Sequence, residues 1–366
     1  MSQPMQDQFD RCTECGACNE VCPVYKITGE PVFSALSRLK TAEMISNGKE
    51  IDDTQKESIY NCPKCMQCES VCPEEIKITR LTHDARVNLS RKGLGPLEKH
   101  EKIINGIQKK DNSVGGDPEK RLAWLDETFI EKKSDTLLYL GCIPAYLVKD
   151  AAFATYHVLK KLDFDFMMLE DESCCYTYLY ESGRTDLAKT YFEKNVEKFS
   201  ALGIKHIVVP CNGCLKCFKY FYPDLLGKMD FKVSHVVEVI YQLLKQQPER
   251  LKKIEQAVTY QDPCRLARGE KITEEPRELL RMCGATLKET PKNRGAAVCC
   301  GAGAGIRSVY PELSVDMAVS LLETISTETI ATSCPFCTFN LGYASNKRDL
   351  GKSITYFTRF ILDALN

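Results

Sequence analysis

The sequence predicts an α+β protein overall, with an α-helical domain in its first third followed by a duplicated α/β domain. Three observations carry this expectation. Two copies of the pattern C-x2-C-x2-C-x3-C-P stand near the N-terminus, five cysteines recur in the remainder at a nearly constant offset, and short apolar strands alternate there with amphipathic helices. A chain of 366 residues can bury more than one core, so its 20 cysteines are not needed to staple a small fold. The polar start Met1-Ser2-Gln3-Pro4-Met5-Gln6 lacks the apolar stretch of a secretory signal. A cytoplasmic setting with reduced thiols is therefore expected. Lysine and arginine number 49 against 50 acids, a balance that offers no field for nucleic acid. The nearly apolar stretch from Leu137 to Val148 is broken by Gly141 and Pro144 and falls short of the ~18 residues a membrane helix needs. The chain is not expected to span a membrane, and any peripheral membrane association would run through a partner subunit.

In chain order, the first motif reads Cys12-Thr-Glu-Cys15-Gly-Ala-Cys18-Asn-Glu-Val-Cys22-Pro23 and the second Cys62-Pro-Lys-Cys65-Met-Gln-Cys68-Glu-Ser-Val-Cys72-Pro73. Between them Leu36, Leu39, Ala42 and Ile45 recur at helical spacing, Gly48 is a stop signal, and a second short helix follows to Tyr60. Residues 81–92 continue as a helix. The run Lys109 to Asp117, with Asn112, Gly115 and Gly116, reads as a flexible linker. The expected domains are residues 1–110, a linker over 111–135, a first repeat over 136–250 and a second over 251–366.

The repeat emerges when Cys142, Cys174, Cys175, Cys211 and Cys214 are aligned with Cys264, Cys299, Cys300, Cys334 and Cys337, giving offsets of 122, 125, 125, 123 and 123. Each copy begins with a strand leading into its first cysteine, Thr136 to Leu140 or Ala257 to Tyr260, followed by a helix. A long amphipathic helix precedes the last cysteine pair, with Leu187, Tyr191, Phe199 and Leu202 on one face in the first copy and Met317, Leu321 and Ile325 in the second. Each leads into a buried-type strand, His206 to Val209 or Thr329 to Thr332. Such alternation predicts parallel sheets with the cysteines at strand ends, where ligands bind.

In C-x2-C-x2-C-x3-C-P, three thiolates surround one cluster and the fourth serves the other cluster of a two-cluster ferredoxin. This assigns Cys12, Cys15, Cys18 and Cys72 to one cubane 4Fe-4S cluster and Cys62, Cys65, Cys68 and Cys22 to a second. Zinc knuckles want ligands in two separated pairs, which this spacing does not offer. The rear copies each carry five thiols where a cubane needs four. Adjacent Cys174 and Cys175 fit poorly on two corners of one cubane, so either one is idle or the site is not an ordinary cubane. Ligand type alone leaves zinc open there.

The stretches Tyr139-Leu-Gly-Cys142, Asp262-Pro-Cys264, Cys299-Cys300-Gly-Ala-Gly303 and Cys334-Pro-Phe-Cys337 make the rear part resemble two CCG domains. With the ferredoxin-like unit, nearly the whole chain resembles the catalytic D subunit of membrane-bound heterodisulfide reductase, itself similar to the C and B subunits fused. The resemblance implies a non-cubane 4Fe-4S cluster on each set of five cysteines, and a small disulfide, such as the coenzyme M-coenzyme B heterodisulfide, cleaved between the clusters. The vicinal pairs Cys174, Cys175, Cys299 and Cys300 are then the catalytic cysteines. Electrons would come from a membrane cytochrome b subunit, a flavoprotein or a soluble ferredoxin-like donor, since the chain carries no flavin fingerprint: Gly301-Ala-Gly303-Ala-Gly305 lacks the G-x-G-x-x-G spacing. Two departures stand out. Tyr176 follows the first vicinal pair where glycine is common, threatening to crowd that cluster, and Arg265 follows Cys264 where histidine is common. Arg265 reads either as a solvated side chain or as a fork for an anionic substrate group.

Two other functions use the same parts. The architecture also resembles iron-sulfur relay subunits of glycolate oxidase, lactate dehydrogenase and glycerol-3-phosphate dehydrogenase, which pass electrons from flavin toward quinone, and a thiol-oxidising assembly would run the chemistry in reverse. The remaining residues have structural readings. Cys217 and Cys283 lack counterparts in the repeat and read as free thiols. His235 reads as a helix-start residue, Trp124 and the run Tyr176 to Tyr180 as packing with the tyrosines able to line a pocket, and Lys216, Lys219 and Lys228 as a solvated face.

Overall fold

The computed structural model describes residues 5–365, so the first four residues of the polar start lie outside the described residues. The front third is helical for local reasons. Pro23 opens helix Pro23–Thr28, where its fixed φ suits the first turn and no N–H is missed, and Cys22 is the extended N-cap. Ser34 caps Ala35–Ser46 by accepting from the Ser37 N–H, and Leu39, Ala42 and Ile45 of that helix are buried. Asp52 and Gln55 form a capping box for Asp53–Tyr60. The helix expected over 81–92 spans Ile78–Arg91 and packs across Ala35–Ser46.

The rear part holds two parallel sheets. Strands β1 (Thr136–Leu138), β2 (His206–Val209) and β3 (Lys232–His235) lie in the order β1-β2-β3. Strands β4 (Ala257–Gln261), β5 (Thr286–Lys288), β6 (Thr329–Thr332) and β7 (Ser353–Tyr356) lie in the order β5-β4-β6-β7. The duplication is visible in the pairing: β1-β2-β3 matches β4-β6-β7, and Met167 bridges Leu137 on the edge that β5 occupies beside β4. Ile207, Val208 and Val209 are fully buried, as a parallel strand covered on both faces requires. The two repeats are joined by Tyr356, whose hydroxyl donates to the Pro210 carbonyl at 2.8 Å, by Asn212 Nδ2 donating to the Ser333 carbonyl at 3.1 Å, and by packing of helix Thr358–Ala364 on helix Lys149–Lys161.

Two expectations are corrected. Helix Thr185–Ala201 centres its buried face on Ala188, Phe192, Asn195 and Phe199, with Leu187 and Tyr191 of the expected face partly buried at its border and only Leu202 off it. Leu202 falls beyond the last helical residue and is 39% exposed, because the chain turns there toward β2. The run Lys109 to Asp117 is not a free tether: Asn112 is buried, donates to the carbonyls of Lys110 and Gly116 and accepts from the N–H groups of Val114 and Gly116.

Candidate functional site

In the helical unit, Cys12, Cys15, Cys18 and Cys72 line one small surface cleft, with Cys15 exposed. The spacing of the second motif's last cysteine, set off by Pro73, brings Cys72 across to the first motif's loop. Cys22 makes the reverse crossing. Arg38, fully buried, donates from Nη1 to Cys22 Sγ at 3.3 Å, from Nε to the Ser58 carbonyl and from Nη2 to Asn61. Burial works against its charge, but Cys22, Cys62 and Cys68 together more than restore it. A cation aimed at a group of cysteine sulfurs was not legible in spacing, since Arg38 sits among ordinary helix residues. Cys65 faces the rear part: hydrogen bonding with Cys299 holds its thiol down at about 6.

The C-terminal strand ends of both repeats open on one cavity of about 470 Å³. All ten predicted cysteines line it: Cys142, Cys174, Cys175, Cys211 and Cys214 from the first repeat, and Cys264, Cys299, Cys300, Cys334 and Cys337 from the second. Sulfurs approach to 3.6 Å between Cys142 and Cys174, 3.3 Å between Cys214 and Cys175 and 3.1 Å between Cys300 and Cys337. Gly141 is required by this approach, for a Cβ there would stand 2.8 Å from Cys214 Sγ, and its φ is +79°. The loop bearing Gly141 is held by Glu172, which accepts from the N–H groups of Leu140 and Gly141 at 2.8 Å each and pairs with Arg121 in the interior.

Residues that the spacing did not reveal complete the wall. Ser113, Val114 and Gly115 come from the segment read as a linker, and Ile103, Thr177, Glu181, Arg307 and Phe339 also face the cavity, as does Tyr178 of the tyrosine run expected to line a pocket. Tyr176 does not crowd it. Its backbone is left-handed, φ 58°, a conformation that glycine adopts most readily, and its ring turns away to lie against Tyr191 with its hydroxyl on Asp111. Arg265 is not solvated: its side chain is 10% exposed and ion-paired at 2.6 Å with Glu181, itself 4% exposed. Burial raises the Glu181 carboxyl, but Arg265, Lys64 and Lys216 outweigh that and hold it at about 2. Lys216 therefore also departs from the expected solvated face, being half-buried with its ammonium 5.5 Å from the centre of the Phe221 ring. Lys219 and Lys228 are exposed as expected. His235 caps helix Val236–Gln246, accepting from the Val237 N–H, Cys283 and Cys217 are packed, and Trp124 packs edge-on against Tyr156.

The donor set fits iron-sulfur clusters. Contacts with neighbouring sulfurs, and then burial, push the thiols of Cys142, Cys214, Cys299 and Cys337 well above their ordinary range, so thiolates so placed need a cation among them. Soft thiolate sets select iron-sulfur clusters or zinc.

Comparison with known proteins decides between these. A family model described as a 4Fe-4S dicluster domain matches residues 8–76, and one described as a cysteine-rich domain, CCG, matches residues 136–219 and 258–342. The D subunit of the dihydromethanophenazine:CoB-CoM heterodisulfide reductase of Methanosarcina acetivorans is 32% identical, over 94% of this chain and 91% of its own length. The chain belongs to the family of heterodisulfide reductase D subunits. It is thus an iron-sulfur oxidoreductase chain with 4Fe-4S clusters and a role in electron transfer. The B subunit of the CoM/CoB fumarate reductase of Methanothermobacter marburgensis is 27% identical, over 93% of this chain and 69% of its own length. EtfAB:quinone oxidoreductase of Syntrophomonas wolfei is 26% identical, over 90% and 54%. Among the described residues no helix is long and apolar enough to cross a membrane.

Proposed function

We propose that the chain is the catalytic iron-sulfur subunit of a disulfide reductase, taking electrons from a partner at its helical unit and delivering them to a small disulfide in the cavity between the repeats. The observation that carries this reading is the single cavity lined by all ten repeat cysteines. Residues 1–110 form the entry unit, with one cubane on Cys12, Cys15, Cys18 and Cys72 and another on Cys62, Cys65, Cys68 and Cys22. Each repeat's five cysteines hold a non-cubane 4Fe-4S cluster. Clusters so held would supply single electrons, and a pair of them facing one S–S bond matches a reaction that consumes two electrons and two protons to give two thiols. The chain's own part is to place Cys174 and Cys175 on one side of the substrate and Cys299 and Cys300 on the other. The wall of Ile103, Val114 and Phe339 excludes water from the reacting bond. The donor is a membrane cytochrome b subunit or a flavoprotein, and the chain lies in the cytoplasm, peripheral on the membrane where that partner is a membrane protein.

The test is an anaerobic assay with reduced viologen as donor and the coenzyme M-coenzyme B heterodisulfide as acceptor. Dye oxidation that requires the heterodisulfide, and that is lost in Cys174→Ser and Cys299→Ser, is expected. Full activity in those variants would refute the assignment. A relay toward quinone is the reading that the likeness to EtfAB:quinone oxidoreductase favours. It predicts no heterodisulfide-dependent turnover and a co-purifying flavoprotein.

A further inference from the structure

Each repeat carries the same short chain of hydrogen bonds behind its vicinal cysteine pair. In the second repeat, Asn340 Nδ2 donates to the Cys300 carbonyl oxygen at 2.6 Å. The N–H of that same peptide unit, belonging to Gly301, donates to Cys299 Sγ at 3.5 Å. In the first repeat, Cys217 Sγ–H donates to the Cys175 carbonyl oxygen at 3.0 Å, and the N–H of that peptide, belonging to Tyr176, donates to Cys174 Sγ at 3.3 Å. The outer donors are equivalent residues: 340 minus 217 is 123, the offset of the flanking C-x2-C cysteines. Both are fully buried. Cys217, which has no cysteine partner in the second repeat, thus has a functional partner in an asparagine.

A hydrogen bond accepted by a carbonyl polarises its peptide and strengthens the N–H on the other side. The residue at 217 or 340 therefore acts on a sulfur that lies one peptide away. An amide N–H is a full donor, whereas a thiol is a weak one. Asn340 is further strengthened because its Oδ1 accepts from Ser314 Oγ at 3.0 Å. The two N–H to sulfur distances differ by only 0.2 Å (3.5 minus 3.3), so at this peptide the contrast between the copies lies in the outer donor. Hydrogen bonds toward cluster sulfurs favour the reduced, more negative cluster and raise its potential.

We propose that Cys217 and Asn340 are positioning residues that set the two repeat clusters at unequal potentials, with the second repeat's the higher. This rests on the reading that each cysteine quintet holds a cluster. The second repeat is also the one whose Cys299 meets Cys65 of the helical unit, so electrons from that unit reach the more readily reduced site first.

The experiment is an anaerobic redox titration of the cluster-replete full chain, followed by electron paramagnetic resonance, on the wild type and on C217S, C217A and N340C. A hydroxyl donates more strongly than a thiol in nearly the same volume, so Cys217→Ser is expected to shift one repeat cluster to higher potential and Cys217→Ala to shift the same cluster to lower potential. Asn340→Cys is expected to lower the other. The signals of the helical unit should not move. Unchanged repeat potentials at full iron content, or Ser and Ala shifting in the same direction, would overturn the proposal. A wild type with only about eight irons per chain, enough for the helical unit alone, would overturn it together with the disulfide reading, and that result is seen before any variant is made.

Discussion

Arg86 is the fastener between the helical unit and both repeats, and removing it has a calculable cost. Its side chain is fully buried and donates to the carbonyls of Ile59, Tyr60, Cys62, Glu181 and Ala304 at 2.9 to 3.3 Å. Ile59 and Tyr60 end helix Asp53–Tyr60, and Glu181 ends helix Thr177–Glu181. The guanidinium therefore caps carbonyls that helix geometry leaves without partners, at the negative ends of two helix dipoles. Arg86→Met keeps the stem and deletes the five bonds. At about 1 kcal/mol net per bond the loss is about 5 kcal/mol, and release from burying a charge returns roughly 1–2 kcal/mol. A net destabilisation of about 3–4 kcal/mol is expected, a large fraction of a typical domain's ~5–15 kcal/mol. Anaerobic urea unfolding, followed by circular dichroism on cluster-loaded protein, measures it as a lower midpoint at unchanged slope. A change below about 1 kcal/mol would refute the capping argument, because water would then have replaced all five bonds. Arg86→Lys, with a single ammonium unable to span both repeats, should recover only part of the loss.

Three further outcomes follow from the same interior. His100 is buried, bonded through Nδ1 to the Tyr178 hydroxyl at 2.8 Å, and held at about 3 by burial and then by Arg86. The unfolded chain takes a proton there below about pH 6.5 while the folded chain does not, so stability is full above that pH and falls by about 2 kcal/mol on reaching pH 5. In His100→Gln, unfolding compared at pH 7 and pH 5 should show that part of the acid sensitivity gone. Glu181→Gln leaves the Arg265 cation buried without its counterion and should cost about 3–5 kcal/mol, read by the same unfolding assay. If the ligand crossing between motifs is right, Cys72→Ser should abolish the same resonance signal as Cys12→Ser, while Cys22→Ser abolishes the other. Loss of one signal by Cys12→Ser and Cys22→Ser together would show uncrossed clusters.

Much of this architecture could be read from residue spacing because it depends on local chemistry. The strand segments His206–Val209 and Thr329–Thr332 appear with the predicted limits, since short β-branched runs between turns leave little freedom. The ten repeat cysteines converge on one cavity because duplication places equivalent strand ends alike. What escaped notice depends on distant partners. Arg38 and Arg86 look like surface helix residues until Cys22, Glu181 and Ala304 are brought to them. Lys216 carries a charge that sequence places in solvent, and Arg265 one that sequence gives either to solvent or to an anionic ligand, yet Glu181, distant in sequence, draws both inward. The glycine-rich composition of 112–116 resembles a tether, and only the buried Asn112 shows it to be a built turn.

That turn has a consequence for how such a protein can be divided. Ser113, Val114 and Gly115 form part of the cavity wall although they belong to the connection between the helical unit and the repeats. A polypeptide cut at this point would not separate two finished modules; it would leave the chamber breached on one side. Whichever fragment kept the turn would have to present it again across the break. Keeping both units on one strand of covalent backbone completes this wall and holds one helical unit to each cavity.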